Sequence, residues 1–368
     1  MSLLKSSDYQ QILLQDLPLI DVRAPVEFEQ GALPCATNLP LMNNQERAEV
    51  GICYKQQGQQ AAIELGHSLV KGSTRQQRLE QWLAFCRENP NGYLYCLRGG
   101  LRSHTVQHWL KEAGADYPLI QGGYKALRRY LIQTTEHAVA KPMYIIAGNT
   151  GCGKTRLIKA FEQGIDLEGL AKHRGSSFGK LLTAQTGQVD FENRLAITFL
   201  KKQATGHQTW IIEDEGRAIG SNHLPLELYQ RMGQAPIVQI DDPFDIRLAR
   251  LKEEYIDEMC RQFIAYYGEE EGWQKFADYL QQGIYAIRKR LGLERYQKIA
   301  LTVTQALQAH QKKNHSDSHI AWLTPLLNDY YDPMYNYQMS KKTERLIFRG
   351  HYAEVQDYLA HYLSSDVI

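Results

Sequence analysis

Two stretches of this chain carry residue types in patterns suited to chemistry. The first is Cys96-Leu-Arg-Gly-Gly-Leu-Arg-Ser103. It follows an apolar run, Gly92 to Cys96, that reads as a strand. It precedes Ser103 to Ala113, which reads as a helix with Ser103 as N-cap and Gly114 as its stop. A thiol at that junction faces backbone N–H groups and a helix start, which favour a thiolate and a bound anion. Arg98 and Arg102 add positive charge, and Gly99 and Gly100 let the backbone curl round the anion. The plainer alternative is a buried structural cysteine. Two glycines, two arginines and a serine around one strand-end cysteine weigh against it.

The second stretch is Gly148-Asn149-Thr150-Gly151-Cys152-Gly153-Lys154-Thr155. It satisfies G-x-x-x-x-G-K-[ST] in full, between the apolar run Met143 to Ala147 and a helix-like Arg156 to Phe161, the context that a phosphate-binding loop requires. The N–H groups of Asn149 to Thr155 would cradle a di- or triphosphate, Lys154 would neutralise it, and the Thr155 hydroxyl would ligate Mg²⁺. Asp214, following the apolar run Thr209 to Glu213, is the first candidate for the acid that holds the ion. Asp241, after Ile237 to Ile240, is the second. Cys152 reads as a tolerated small residue. Between these acids and the loop lies Asp166 to Gly179, rich in small and basic residues. His173, Arg174, Ser176 and Ser177 there are candidates for contact with a phosphorylated substrate, against the alternative of a solvated loop.

The elements that must position these groups read as strands alternating with helices. Pro18 to Val22 and Gly92 to Cys96 are strands in the first part, with helical spacing of apolar residues from Gln76 to Arg87. This predicts a small parallel α/β domain over 1–136. Residues 137–368 are expected to be a P-loop α/β domain that turns mostly helical from Pro243 onwards. Between Ala286 and Gly350 eleven Lys and Arg face five Asp and Glu, interleaved with Trp322, Tyr330, Tyr331, Tyr335 and Tyr337. Arg288, Lys289, Arg290, Lys341 and Lys342 are therefore candidates for contact with nucleic acid, the tyrosines for stacking on splayed bases. A merely solvated helical face is the competing reading.

The chain has 368 residues, enough for two or three domains. With 42 Lys and Arg against 41 Asp and Glu, whole-chain charge argues for no polyanionic or membrane partner, so a basic surface must be local. The six cysteines form no C-x-x-C pair, which speaks against zinc and suits reduced thiols in a cytoplasmic protein. The start does not read as a signal peptide, and no apolar run is long enough to span a membrane.

Ile20-Asp-Val-Arg23, Glu27-Phe28 and Gly31-Ala-Leu-Pro-Cys-Ala-Thr-Asn-Leu-Pro40 resemble the opening of rhodanese domains, with the cysteine loop where that family has it. In that resemblance Asp21 and Arg23 hold the domain together and Cys35 is not the reactive residue. The loop is one residue longer than a typical sulfurtransferase loop. Its Cys-x5-Arg spacing also resembles a phosphatase loop, although Tyr95 stands where such phosphatases usually have His. The combination is narrower still. A rhodanese-like part joined to a P-loop part, with Leu-Glu-Gly-Leu-Ala-x-His-Arg-Gly-Ser-Ser-Phe-Gly, Glu213-Asp-Glu-Gly-Arg217 and Tyr331-Asp-Pro-Met-Tyr335, resembles the bacterial tRNA 2-selenouridine synthases over essentially the whole chain. That resemblance implies a tRNA substrate of the Lys, Glu or Gln type, with 2-thiouridine at the wobble position. It implies selenophosphate as donor, made by a separate enzyme, and geranyl diphosphate as the source of an S-geranyl intermediate. The residues fit that chemistry: the Cys96 thiolate would carry selenium, and by shape and charge Lys154, Thr155 and Asp214 would hold the diphosphate of geranyl diphosphate. Two other functions compete: a phosphatase or sulfurtransferase fused to a P-loop kinase, and a pair of non-catalytic anion-binding loops.

Overall fold

The computed structural model describes residues 6–313 and 315–365. The chain forms two compact units, one of residues 1–138 and 187–205, the other of residues 139–186 and 206–368. The division at 136/137 expected from sequence assigned the Gln188–Ala204 helix to the second part. Its contacts lie with the first. Ala196, Ile197 and Leu200 join a core with Ile12, Leu13, Leu127 and Leu131. Asn193 donates to the Ala32 carbonyl at 2.8 Å, and Asp190 accepts from the Ala32 N–H at 2.7 Å.

The first unit is built on three short parallel strands, β1 (Leu19–Asp21), β2 (Ala36–Asn38) and β3 (Tyr93–Tyr95), in the order β2-β1-β3. Alternation along β1 sends Ile20 into a core with Trp82, Leu94 and Val106, and Leu19 into the core that holds Ile12 and Leu127. Both faces are covered, as parallel strands require. Asp21 is buried and takes a bidentate hydrogen-bond pair from the Arg23 guanidinium, which also donates to the Gly31 carbonyl at 2.8 Å. The helix read over 76–87 spans Gly72–Glu88. A helical stretch not foreseen, Asn44–Leu69, breaks at Gly58, whose φ of 86° and ψ of −175° interrupt the helix. Its two halves fold back on each other, and a Cβ on Gly66 would meet Val50 Cγ2 at 3.8 Å.

The second unit carries five parallel strands in the order β10-β9-β4-β6-β5: β4 (Met143–Gly148), β5 (Gly164–Ile165), β6 (Trp210–Glu213), β9 (Ile237–Ile240) and β10 (Leu346–Gly350). A small antiparallel pair, β7 (Ala218–Ile219) with β8 (Asn222–His223), stands apart from that sheet. Ile146, Ile211, Val238 and Ile240 pack against Leu157 and Ile158 of the Lys154–Ala160 helix and against Val355 and Leu359. Between Phe244 and Ser340 the described residues are mostly helical, around a separate apolar core that includes Phe263, Phe276, Leu280 and Trp322. Within the expected mostly helical end, β10 is a strand that was not foreseen, pairing along β9 at the sheet edge. The fold is thus α/β with parallel sheets and a helical C-terminal part. Among the described residues no helix is long and apolar enough to cross a membrane.

Candidate functional site

In the first unit the chain leaves β3 at Cys96 and enters the Leu101–Glu112 helix. That helix begins two residues before the start read from sequence, and its N-cap is Gly100. Ser103 is instead in the first turn, fully buried, with Oγ 2.9 Å from the Gly100 carbonyl and 3.2 Å from Cys96 Sγ. Gly99 has φ of +64°, and a Cβ there would lie 2.8 Å from the Gly122 nitrogen. A Cβ on Gly123 would collide with the Cys96 carbonyl at 2.2 Å. Gly99 and Gly123 therefore let the loop and the start of the next helix close on one another, whereas a Cβ on Gly100 would meet nothing. Tyr124 N–H to Cys96 O and Lys125 N–H to Leu97 O complete the clamp.

This setting changes the thiol. Burial raises the pKa of Cys35, Cys86 and Cys260 to about 11 and also pushes the Cys152 thiol upward. Cys96 is buried too, which acts in the same direction. The Ser103 hydroxyl, the N–H groups of Arg98 and Ser103, and the Arg102 charge outweigh it, and the thiol is held below its ordinary value. Arg102 is already engaged by Glu27, at 2.6 and 3.2 Å, whereas Arg98 is exposed. Beside the loop a cavity of about 770 Å³ is lined by Leu97, Tyr124 and the cationic Arg47, Lys125, Arg128 and Arg129. Lys125, Arg128 and Arg129 stand at i, i+3 and i+4 on the Gly123–Val139 helix, a spacing that could have marked them in the sequence, whereas Arg47 comes from the distant Asn44–Leu69 stretch.

In the second unit the P-loop joins β4 to the Lys154–Ala160 helix. Gly148, Gly151 and Gly153 all have positive φ, and a Cβ on Gly151 would lie 2.5 Å from the Arg247 carbonyl. Arg247 donates to the Thr150 carbonyl at 3.1 Å and pairs with Asp332 at 2.9 and 2.6 Å. Arg250 donates to the Cys152 carbonyl at 2.9 Å. The Lys154 ammonium lies 3.1 Å from the Gly148 carbonyl and 5.4 Å from the Tyr335 ring centre. The late Tyr331-Asp-Pro-Met-Tyr335 stretch thus braces the loop through Asp332 and flanks its lysine through Tyr335. The Asn149 Oδ1 is buried without a hydrogen-bond partner.

The carboxylates at Thr155 are Glu168 and Glu213, with Oε2 atoms 3.3 and 3.4 Å from its hydroxyl. Asp214 is instead paired with Lys342 at 2.7 and 2.8 Å, and Asp241 with Arg349 at 2.6 Å. Burial, then the Glu168 charge, pushes Glu213 well above the carboxylate range and Glu215 up to about 7. Burial alone would lower the Lys154 pKa; Cys152 and Tyr335, then Glu215 and Glu168, hold it above the ordinary lysine value. Thr155 with these oxygens suits a hard cation bound beside phosphates. Among the described residues no group of three or more His, Cys, Asp and Glu is arranged as a protein-only metal site.

The stretch after Asp166 folds over these acids. The Gly175 N–H donates to Glu168, and a Cβ on Gly175 would meet Glu215 Oε2 at 2.4 Å. Arg174 donates to the Glu254 carbonyl at 3.2 Å and lies 4.8 Å from the Tyr255 ring centre. Ser177 Oγ is 3.1 Å from the Tyr331 hydroxyl, and Ser176 Oγ accepts from the Phe178 N–H. His173 keeps a buried Nδ1 with no partner, beside the tight turn at Gly220. Of the C-terminal candidates, Lys289, Arg290 and Lys341 are exposed, while Arg288 stacks on Tyr285 at 3.6 Å. Lys342 is the partner of Asp214. Trp322 and Tyr331 are core residues; Tyr337 is exposed, with Lys341 over its ring.

Comparison with known proteins identifies the family. The family profile described as the tRNA 2-selenouridine synthase AAA domain matches residues 141–365. A tRNA 2-selenouridine synthase of Serratia proteamaculans is 60% identical over 355 residues, 96% of this chain and 95% of that one. Proteins of the same name from Salmonella paratyphi A and Photobacterium profundum are 56% and 53% identical, each over 96% of this chain and over 98% and 97% of their own. On the family match and these near full-length relatives, the chain belongs to the tRNA 2-selenouridine synthase family.

Proposed function

We propose that this chain replaces the sulfur of a wobble-position 2-thiouridine in tRNA by selenium, with selenophosphate as donor and an S-geranyl intermediate made from geranyl diphosphate. The observation that carries the reading is the Cys96 loop, the setting in which a cysteine thiol is lowered while burial raises four others. Loop amides, Arg98 and Arg102 suit the tetrahedral anion of the donor. Of the cations lining the neighbouring cavity, Arg47 pairs with Glu27 and Arg128 with Glu192, and Lys125 and Arg129 suit the phosphates of an anticodon loop.

The P-loop, with Lys154 and Thr155, suits the diphosphate of geranyl diphosphate, with Mg²⁺ held by Thr155 beside Glu168 and Glu213 rather than by Asp214 or Asp241. Allylic transfer to the thione sulfur forms a C–S bond, breaks the C–O bond and leaves diphosphate. The alkylated sulfur is then a better leaving group than a thione.

Electron balance separates two roles for Cys96. If the thiolate takes selenium from selenophosphate, an S–Se bond forms, the Se–P bond breaks, and phosphorus keeps the pair and leaves as phosphite; the perselenide then attacks C2, geranylthiol leaves, and a second thiol, as two-electron reductant, cleaves the S–Se bond to give a disulfide and the 2-seleno nucleoside. If the donor's selenium attacks C2 directly, the C–Se bond forms and geranylthiol leaves. Hydrolysis then releases phosphate, and the Cys96 loop serves to hold the donor. Incubation of 2-thiouridine tRNA with both co-substrates tests the reading by nucleoside mass spectrometry, with phosphorus NMR of the products. A 2-seleno nucleoside is expected. Unmodified tRNA alongside turnover of a phosphoester or thiosulfate would hand the function to the phosphatase or sulfurtransferase reading. Phosphite would make Cys96 the selenium carrier, and phosphate would make the donor the nucleophile.

A further inference from the structure

A second cavity of the first unit opens beside the Cys96 loop and has no place in the function argued so far. It measures about 320 Å³ and lies between the folded-back halves of the Asn44–Leu69 stretch and one face of the Leu101–Glu112 helix. Its walls are mostly apolar, with Val50, Ala62, Ile63 and Trp109 among them. Leu101 and Arg102, which line it too, are the residues with which the cysteine loop runs into its helix.

Two features mark it as more than a packing gap. Tyr54 and Leu101, both lining it, are 59% and 54% exposed. Large apolar side chains this open, grouped round one cavity, leave contiguous apolar surface for a ligand to cover. The volume also falls at the lower end of the roughly 300–1,000 Å³ typical of small-molecule sites. The polar lining groups are few: Gln59, His67, Arg102 and Thr105. Arg102 faces both ways, since its charge also acts on the Cys96 thiol. A ligand suited to this site is therefore a short hydrocarbon chain whose attached polar group lies toward the cysteine loop. The apolar cavity of the second unit, beside Thr150, measures only about 30 Å³, too little for such a chain without rearrangement.

We infer that this pocket is a prenyl-chain subsite, which holds the geranyl group of the S-geranyl nucleoside while the nucleoside's C2 is presented to the Cys96 loop. The inference rests on the S-geranyl reading given above. Apolar burial supplies the recognition, roughly fourfold in affinity for each methylene removed from water.

The test compares binding of two anticodon stem-loop RNAs, one with S-geranyl-2-thiouridine and one with 2-thiouridine at the wobble position. The wild-type chain is expected to prefer the geranylated RNA by about 100-fold, equivalent to only three or four well-buried methylenes. Ala62→Phe fills the cavity, and Tyr54→Glu charges its rim at a side chain too exposed to disturb the fold. Each is expected to cut the preference at least tenfold. An unchanged preference in both variants would overturn the pocket assignment. A distinct result, a wild-type chain that neither prefers the geranylated RNA nor converts it to the 2-seleno form with selenophosphate, would remove the reading on which the pocket rests.

Discussion

Ser103→Ala isolates the interaction that sets the Cys96 thiol apart from the other cysteines. The Ser103 hydroxyl has one proton and two neighbours, Cys96 Sγ at 3.2 Å and the Gly100 carbonyl at 2.9 Å. With a neutral thiol it can donate to the carbonyl; with a thiolate it turns to the sulfur. A hydrogen bond to a charged group is worth about 1.5–3 kcal/mol, and a neutral one, given up in the exchange, about 0.5–1.5. The difference of about 1–1.5 kcal/mol corresponds to roughly one pKa unit. Removal of the hydroxyl should therefore raise the Cys96 pKa by about one unit and lower the thiolate fraction about tenfold at pH values below it. The assay is the pH titration of thiolate ultraviolet absorbance, taken as the difference from Cys96→Ala. Ser103→Thr keeps a hydroxyl and should restore most of the shift. A Ser103→Ala titration that overlays the wild type would refute the reasoning and leave the loop amides and Arg102 as the whole cause.

Three further outcomes follow from the second unit. Arg247→Ala leaves Asp332 unpaired and frees the Thr150 carbonyl; loss of a buried pair of this kind costs about 3–5 kcal/mol, so both melting temperature and pyrophosphate protection should fall in a thermal-shift assay. Glu215, raised to about 7, is half protonated near neutrality; pyrophosphate affinity should weaken as pH rises through 7, and Glu215→Gln should flatten that dependence in calorimetric titrations. Trp322 Nε1 donates to His319 Nδ1, so His319 donates through Nε2 to His310 Nδ1, and both rings are buried neutral. Burial, then His310, lowers the His319 pKa to about 3. The unfolded chain then binds the extra proton first. Stability is full above pH 6.5 and declines as pH falls toward 3, by about 2 kcal/mol already at pH 5. Denaturant melts of His319→Gln should show a shallower acid slope than the wild type.

Much of the frame is legible because strand-end chemistry leaves local marks. The apolar runs ending at Cys96, Ala147 and Glu213 are bounded by glycines or acids, and each forms a strand. What the sequence conceals is pairing at a distance. The Gln188–Ala204 helix reads as amphipathic wherever it docks; Asn193 and Asp190 meeting Ala32 decides the matter. The Leu346–Gly350 strand is a short apolar run after a helical region, and only the edge of Ile237–Ile240 makes it a strand. The partner of Asp214 is 128 residues away. Strand parity could have singled out Glu213, since Ile211 and Glu213 share a side of β6 and Ile211 packs with Leu157 and Ile158 of the P-loop helix. The hairpin over 44–69, rich in Gln and Glu, offers no such pattern, so the cavity it walls was beyond reach.

The central claim is that one chain divides the exchange between two anion sites. Its most direct test is nucleoside mass spectrometry of 2-thiouridine tRNA treated with Cys96→Ala or Lys154→Ala enzyme, geranyl diphosphate and selenophosphate. Accumulated S-geranyl nucleoside with Cys96→Ala, and none with Lys154→Ala, is the predicted result. Cys96 belongs to the donor loop in either role, so selenation undiminished in Cys96→Ala, or geranylation undiminished in Lys154→Ala, would contradict it.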